Sequence, residues 1–378
     1  MLPAVHRDAI SLADVLESCF SAVVGSQNRL ELDPVQQAIV VLIDGLGAEA
    51  LRARAGYARL LSAAMSQGSI MHSGFPTTTA AAIATLTTGA FPGRHGLVGY
   101  SVLDAANSRV VNQLTGWDDR LDPFSWQRVP TIFERAAKVG VRSAAIGPER
   151  FRDSGFTKAV LRGAEYHGAG RIADRMLQAA ELAASGCAAL NYVYVPELDI
   201  ASHAHGWQSQ AWIEALEETD SALRRLHAAL GPNTGLLVTA DHGVLDVEAH
   251  SHVLFDSAAA LIDGVRFVAG DPRCLQLHIE ADASPAVRDR LLDAWRASES
   301  SRSWVVTRDE AIAAGWFGHV DPAVRPRIGE ILVAARKNIA YYDSRDTVST
   351  ARSMIGQHGS WSAAETRVPL LRFGAFSS

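Results

Sequence analysis

The chain has 378 residues, of which 48% are hydrophobic and 20% are charged. This composition excludes an intrinsically disordered chain, which would be poorer in apolar residues and richer in charge. The 41 acidic residues outnumber the 35 basic ones and give a net charge of −6. We therefore expect neither a nucleic-acid groove nor an anionic-membrane surface, because both need a clustered basic face.

Cysteine usage and hydropathy bear on the cellular compartment. The cysteines Cys19, Cys187 and Cys274 are far apart in the sequence and form no CxxC pair. Such sparse usage favours reduced, buried thiols in a cytoplasmic protein. The first residues include acidic side chains and lack the apolar run of a signal peptide. No stretch reaches the ~20 apolar residues that a membrane-spanning helix needs, so we expect no membrane segment.

Apolar runs and turn residues predict alternating strands and helices up to residue 243. In chain order, the predicted strands are 38–43, 68–73, 141–146, 189–195 and 235–240. The predicted helices are 48–67, 79–88, 130–139, 169–185 and 207–230, and Gly89 is expected to close the second of them. This alternation predicts an α/β fold with a doubly wound, mostly parallel sheet flanked by helices.

The later part of the chain has a different pattern. Short strands are predicted at 265–269, 274–280 and 331–335, with a helix at 285–298. We expect a smaller α+β cap or insertion over residues 244–351, and a catalytic core formed by 1–243 and 352–378. The tail at 367–373 is expected to return as a strand to the main sheet.

Candidate metal ligands follow three of the predicted strands. They are Asp44, then Asp199 with His203, then Asp241 with His242, and they are joined by His358 between glycines in a later segment. Ligands of open α/β sheets bind beyond the carboxyl ends of the strands. Carboxylate and imidazole together suit Zn²⁺ or Mn²⁺, and six such residues are enough for two open sites in one pocket. Each residue alone also has an ordinary interpretation as a helix cap, a turn former or a surface pair on one helical turn.

Three consecutive threonines, Thr77, Thr78 and Thr79, precede the small-residue helix predicted at 79–88. A hydroxyl group at this position lies in the field of the helix N-terminus, which favours an anion. The same field would stabilise negative charge that develops during attack on a phosphoryl group. One of these threonines is therefore a candidate nucleophile, and the alternative is a helix cap.

The motifs occur in an order that resembles the type I phosphodiesterase/nucleotide pyrophosphatase family of the alkaline phosphatase superfamily. The segments that carry the resemblance are VVLIDGLG (40–47), FPTTTAAAIATLTTGAFPGRHGLVGY (75–100), the Asp199 and His203 pair, TADHG (239–243) and GQHG (356–359). The resemblance implies an alkaline-phosphatase-like fold and two divalent metal ions, Zn²⁺ or alternatively Mn²⁺. It also implies hydrolysis of a small phosphate diester or pyrophosphate through a covalent phosphothreonine.

The resemblance further assigns roles to individual residues. It implies one metal ion held by Asp199, His203 and His358, and another held by Asp44, Asp241 and His242. The nucleophile of the family lies ten residues before the glycine that ends its helix. Counting back from Gly89 gives Thr79, with Thr78 as the alternative.

One position departs from the pattern of the family. Family phosphodiesterases place an asparagine shortly after the HG motif, where it binds a phosphoryl oxygen, whereas Tyr100 stands in this region here. We expect the Tyr100 hydroxyl to bind substrate in its place, and the difference leaves the native substrate open.

Other functions remain as alternatives. A phosphomonoesterase or phosphonate hydrolase of the same superfamily is one, and a metal-dependent binding protein without turnover is another. A monoesterase usually has a basic residue beside its nucleophile, and the nearest here is Arg94 in a turn-like segment, which favours a diester. A dinucleotide site is disfavoured because the third glycine of GxGxxG is absent. The sequence leaves the oligomeric state open.

Overall fold

A seven-stranded sheet, called the main sheet below, forms the centre of this computed structural model, which describes residues 2–4, 9–345 and 351–377. In spatial order its strands are Ile70–His72, Arg367–Gly374, Thr234–Thr239, Gln37–Ile43, Leu190–Val195, Ser143–Gly147 and Glu165–Gly168. The last five strands run parallel, whereas 367–374 is antiparallel to both of its neighbours. The predicted α/β class, the mostly parallel sheet and the returning tail strand are confirmed.

The apolar sequence of Gln37–Ile43 explains its central place. Its last six residues are buried, and it pairs with a parallel strand on each side. A strand that is covered on both faces reads as a continuous apolar run, and AIVVLI is such a run.

Helices flank the main sheet. They are Leu12–Val23, Ala48–Ala53, Arg59–Ala63, Thr79–Thr88, Pro92–His95, Pro123–Trp126, Ile132–Lys138, Gly155–Val160, Ile172–Ser185, Glu197–His205, Gln210–Ala229 and Ala363–Thr366. Both predicted ends of Thr79–Thr88 are confirmed, and Gly89 closes this helix at a φ of 66°, which glycine adopts without strain. The single helix predicted at 48–67 is wrong. A 3₁₀ turn containing Gly56 separates two short helices there, because glycine is a poor helix former.

A second sheet has six antiparallel strands. In spatial order they are Ser303–Thr307, Ile331–Ala335, Cys274–Ile279, Val265–Asp271, Ser101–Asp104 and Arg109–Asn112. The helix Pro285–Glu299 packs on this sheet through Leu291 and Trp295, and the short helix Arg308–Ala313 follows the strand 303–307. The hairpin at 101–112 contributes to this sheet although it precedes residue 244. The division into a core and an insertion over 244–351 stays a prediction.

Two short ribbons complete the fold. Leu245–Asp246 pairs with Gly356–Gln357, and His252–Leu254 pairs with Ala340–Tyr342. All three cysteines are free, and Cys19 and Cys274 are buried as expected. The expectation is wrong for Cys187, which is exposed in the connection between a helix and a strand of the main sheet.

Candidate active site

Three neighbouring parallel strands at the centre of the main sheet end at one edge. The strands are followed by Asp44, by Asp199 and by Asp241 with His242. These four side chains belong to residues that are at most 8% exposed. The parallel pairing therefore brings side chains that are far apart in the sequence into one buried cluster.

Two further histidines join this cluster. The Nε2 atom of His203 lies 3.1 Å from Oδ2 of Asp199 and 3.3 Å from Nε2 of His358. The ring of His358 stacks on that of His242, with centroids 3.7 Å apart and planes inclined by 19°. The structure thus brings together all six residues that the sequence analysis named as candidate ligands.

Backbone carbonyl groups orient the three imidazole rings. The Nδ1 atom of His203 lies 2.7 Å from the carbonyl oxygen of Gly356, and that of His358 lies 2.7 Å from the carbonyl oxygen of Thr77. The Nδ1 atom of His242 lies 3.3 Å from the carbonyl oxygen of Gly243. A ring that donates from Nδ1 keeps Nε2 as a free lone pair, which is the usual arrangement of a metal-binding histidine. In each of the three rings this arrangement makes the Nε2 lone pair available to a metal ion.

The carboxylates each keep one oxygen without a hydrogen-bond partner. These buried atoms are Oδ1 of Asp44, Oδ1 of Asp199 and Oδ2 of Asp241. The second oxygens of Asp44 and Asp241 accept hydrogen bonds. Tyr194 donates to Asp44 Oδ2, and the backbone N–H of Gly45 donates to Asp241 Oδ1 over 3.1 Å. Buried oxygens without a partner are costly, and a cation would satisfy them.

The possible ligand atoms of the cluster form two groups of three. Within each group, all three atoms lie within 4.8 Å of one another. One group is Asp44, Asp241 and His242, and the other is Asp199, His242 and His358. Oxygen and imidazole donors without cysteine suit Zn²⁺ or Mn²⁺. The residues present therefore fit two divalent ions.

Burial and mutual charge shift the pKa values in the cluster. Burial raises the pKa of Asp44 well above its ordinary value, and the charges of Asp241 and Asp199 add to this effect. Burial also raises the pKa of Asp241 to about 6. Burial would raise the pKa of Asp199 too, but the neighbouring His203 and other imidazoles lower it below its ordinary value. Burial lowers the pKa of His242 to about 4.

The three threonines before the helix have different surroundings. Thr79 is the first helical residue, and its Oγ1 lies 3.2 Å from Nε2 of His242. The Thr77 hydroxyl is already used, because it donates to the Ser360 carbonyl over 2.8 Å and accepts from Gly359 N–H over 2.9 Å. Thr78 is the residue before the first helical turn and is fully buried. Of the three hydroxyl groups, that of Thr79 lies within hydrogen-bond distance of a candidate ligand, whereas the Thr78 hydroxyl has no hydrogen-bond partner among the described residues.

A cavity of about 610 Å³ opens beside Thr79. Thr79, Asp44 and Asp199 are among the residues that line it, and most of the others are aromatic or aliphatic. Apart from the two aspartates, the one charged side chain among the described lining residues is Arg150, which the sequence analysis did not single out. This volume lies within the range of small-molecule sites.

The sequence pattern of one protein family matches residues 38–361, which is most of the chain. The family is described as type I phosphodiesterase/nucleotide pyrophosphatase. This chain belongs to that family. A comparison of the sequence with curated proteins finds no match.

Solved structures of similar fold agree with this family. Mouse ectonucleotide pyrophosphatase/phosphodiesterase 5, solved as an inactive threonine-to-alanine variant in complex with AMP, is 17% identical with a TM-score of 0.68. The match covers 90% of this chain and 88% of the mouse chain. Phosphonoacetate hydrolase from Sinorhizobium meliloti 1021, in complex with phosphonoformate, is 18% identical with a TM-score of 0.69 and 89% coverage of each chain. At these identities the likeness shows the fold.

None of the helices in the described part of the chain combines the length and the apolar character that crossing a membrane requires. The cytoplasmic location and the expected lack of a nucleic-acid groove stay predictions from composition.

Glu365 connects two of the loops that carry candidate ligands in this family member. Its backbone carbonyl accepts from Gly243 N–H, next to His242, and its carboxylate accepts from Ser360 N–H, each over 2.8 Å. Arg273, at the end of the second sheet nearest to these loops, binds both carboxylate oxygens of Glu365 over 2.8 Å. The sequence signal at Glu365 is a capping box, which indicates a helix start and no longer-range contact.

Two motif glycines pack against each other at the same edge. A Cβ atom on Gly243 would lie 2.7 Å from the Cα of Gly47, and one on Gly47 would lie 3.1 Å from the Cα of Gly243. Both positions therefore require glycine because the two backbones approach closely.

Tyr100 lies outside the cavity beside Thr79. It directly precedes the strand Ser101–Asp104, which places it against the second sheet, where it lines a separate cavity of about 420 Å³ with Asp271. The Tyr100 residue is 37% exposed. Tyr100 and Thr79 therefore line different cavities, and the expected role of Tyr100 in binding substrate stays a prediction.

Proposed function

We propose that this chain is a metal-dependent phosphoryl-transfer hydrolase that cleaves small phosphate diesters or pyrophosphates through a covalent phosphothreonine at Thr79. One observation carries the proposal. The Thr79 hydroxyl lies 3.2 Å from His242 in a cluster that holds three buried carboxylate oxygens without partners. The family to which the chain belongs is described as type I phosphodiesterase/nucleotide pyrophosphatase, which supports this class of reaction.

The six clustered side chains would hold two divalent ions, with Zn²⁺ preferred and Mn²⁺ the alternative. Asp44, Asp241 and His242 would bind one ion. Asp199, His203 and His358, whose carboxylate oxygens and Nε2 atoms lie 3.1 to 3.9 Å apart, would bind the other. Bound ions supply charge neutralisation and activation of oxygen nucleophiles in such sites.

Thr79 has the position that a nucleophile needs. Its hydroxyl lies at the N-terminus of Thr79–Thr88, where backbone N–H groups and the helix dipole stabilise negative charge. In the first step the bond from Thr79 Oγ1 to phosphorus forms while the bond to the leaving-group oxygen breaks. The threonine proton passes to water, and the leaving group takes a proton from water.

A second displacement completes the cycle. A water oxygen bonds to phosphorus while the bond from Thr79 Oγ1 to phosphorus breaks, and Thr79 regains a proton. Two in-line displacements at one phosphorus give net retention of configuration. The inactive threonine-to-alanine variant of the mouse neighbour supports a threonine in this role.

Phosphonate or monoester hydrolysis is the second candidate. The Sinorhizobium meliloti neighbour is a phosphonoacetate hydrolase, and its fold covers most of this chain. A monoesterase usually has a basic residue beside its nucleophile, and a diester is favoured because Arg94, the nearest in the sequence, lies in a turn-like segment. Arg94 is exposed on the short helix Pro92–His95 and does not line the cavity. A different cation, Arg150, lines it instead.

The test compares hydrolysis of bis-4-nitrophenyl phosphate by wild type, Thr79→Ala and Thr78→Ala, each loaded with Zn²⁺. We expect Thr79→Ala to lower kcat by at least ~10⁴-fold, as loss of a nucleophile does, while its metal content stays that of wild type. Thr78→Ala should keep most of the activity. An active Thr79→Ala variant, or a wild type that binds metal but turns over no ester or phosphonate, would contradict the proposal.

A further inference from the structure

The cavity beside Thr79 is larger than a phosphoryl group needs. Its volume of about 610 Å³ suits a drug-sized ligand, and six aromatic side chains contribute to its wall. These side chains are Trp117, Phe151, Phe156, Tyr166, Tyr192 and Tyr194. Such a wall favours a flat apolar group because aromatic rings bury large areas and stack at low entropic cost.

Arg150 brings an unpaired positive charge to this aromatic wall. Its guanidinium lies over the ring of Phe151, with Cζ 4.7 Å from the ring centroid. Over residues 9–345 and 351–377, no carboxylate lies within ion-pair distance of Arg150. The adjacent Glu149 is bound to Arg152 instead, over 2.6 Å. Arg150 is therefore free to bind an anionic group of a ligand.

Tyr192 adds a hydroxyl group that has no partner. The residue is 1% exposed, lines the same cavity, and its Oη forms no hydrogen bond among the described residues. A buried hydroxyl without a partner is costly, so a ligand atom that accepts from it would be stabilised.

A series of contacts connects the reacting end of the cavity to Arg150. Tyr194 donates to Asp44, the ring of Phe151 lies 6.3 Å from that of Tyr194, and Arg150 lies over Phe151. A substrate with its phosphorus at Thr79 would therefore extend along this wall toward the guanidinium.

We propose that Arg150 is a specificity-determining residue, which selects substrates whose part beyond the phosphoryl group is flat and apolar and carries a second acidic group. The acidic group forms a charge-assisted, bidentate contact with the Arg150 guanidinium. The Tyr192 hydroxyl donates to a polar atom of the same part. This inference rests on the proposed function, because it takes the phosphorus to be at Thr79.

The kinetic test uses two diesters that release the same 4-nitrophenolate, phenyl 4-nitrophenyl phosphate and 4-carboxyphenyl 4-nitrophenyl phosphate. We expect wild type to favour the carboxylated ester by about tenfold or more in kcat/KM, mainly through KM. Arg150→Gln should bring this ratio to about one, and Arg150→Lys should restore part of it. Arg94→Gln removes an exposed cation outside the cavity and should keep the wild-type ratio.

A binding measurement separates this inference from the proposed function. Calorimetry compares phenylphosphonate with 4-carboxyphenylphosphonate on wild type and on Arg150→Gln, without any turnover. Tighter binding of the carboxylated compound to wild type alone supports the inference even where no ester is cleaved. An equal preference in wild type and Arg150→Gln overturns it, and leaves the Thr79 proposal intact if both esters are hydrolysed.

Tyr192→Phe provides an independent check on the cavity. Removing a hydroxyl that has no protein partner should weaken binding of 4-carboxyphenylphosphonate severalfold and leave Tm at or above that of wild type. Binding of phenylphosphonate, which has no polar atom beyond its phosphoryl group, should stay unchanged. A clear fall in Tm with unchanged binding would mean that this hydroxyl serves the fold and not the ligand.

Discussion

The two sheets contribute to the site in different ways. The main sheet is mostly parallel, so its strand ends lie at one edge and bring Asp44, Asp199 and Asp241 together. The second sheet is antiparallel and carries none of the six candidate ligands on its strands. It reaches the site through Arg273, which holds Glu365 between two ligand loops. The parallel strands thus position the candidate ligands, and the antiparallel sheet supports the loops that carry them.

The largest expected effect tests this support. Arg273→Met leaves the Glu365 carboxylate buried without its cation, and both side chains are at most 1% exposed. Loss of one partner of a buried ion pair costs about 3–5 kcal/mol in the free energy of unfolding. Urea denaturation followed by circular dichroism measures this change.

An exposed ion pair in the same part of the chain is the matched control. Arg296 and Glu310 lie 2.8 Å apart, with side chains 39% and 45% exposed. Arg296→Met should cost at most about 1 kcal/mol. The double variant Arg273→Met/Glu365→Gln should lose less stability than Arg273→Met alone. Equal losses from the Arg273 and Arg296 variants would contradict the supporting role of the second sheet.

An intermediate effect is expected inside the main sheet. Tyr194→Phe removes the hydroxyl that donates to Asp44, so Asp44 loses the contact that orients it. Outer contacts of this kind change metal affinity by about 10–100-fold, which a competition titration with a chelator measures. Tyr341→Phe removes a hydroxyl that donates to Glu299 over 2.6 Å near the second sheet, and should leave metal affinity unchanged. Equal metal affinities in Tyr194→Phe and Tyr341→Phe would contradict the view that the main sheet, and not the second sheet, positions the metal ligands.

The smallest effect is a pH dependence that originates in the second sheet. Burial lowers the pKa of His278 to about 4, while Glu330 raises it and Arg308 lowers it further. Because the unfolded chain binds this proton near pH 6.5, stability is complete above that pH and falls as the pH drops toward 4. His278→Gln should reduce the loss in unfolding free energy between pH 7 and pH 5 by about 1–2 kcal/mol. If the free energy of unfolding falls equally with pH in wild type and in His278→Gln, His278 does not contribute to the pH dependence of stability.

Sequence reasoning succeeded where the signal is local. Asp44, Asp241 and His242 directly follow apolar strands, and Gly89 marks the end of a helix, so neighbouring residues predict their positions. The prediction of one helix at 48–67 is wrong because the apolar pattern does not show how a single glycine and tertiary packing together end a helix.

Contacts between distant residues account for what the sequence did not predict. Arg273 and Glu365 are 92 residues apart, and neither carries a pattern that identifies its partner. The sequence motif does not show that the strand after Tyr100 joins the second sheet, or that Tyr100 lines a second cavity there. Arg150 lines the same cavity as Thr79, although the two residues are far apart in the sequence.

The close approach of Gly47 and Gly243 has a consequence for how this chain can change. A sequence search reads DGLG and DHG as separate motifs, but in the fold they share one surface on which neither glycine can accept a side chain alone. A side chain at either position would therefore displace the other segment. Any redesign of this edge has to treat the two segments as a single unit, although 196 residues separate them.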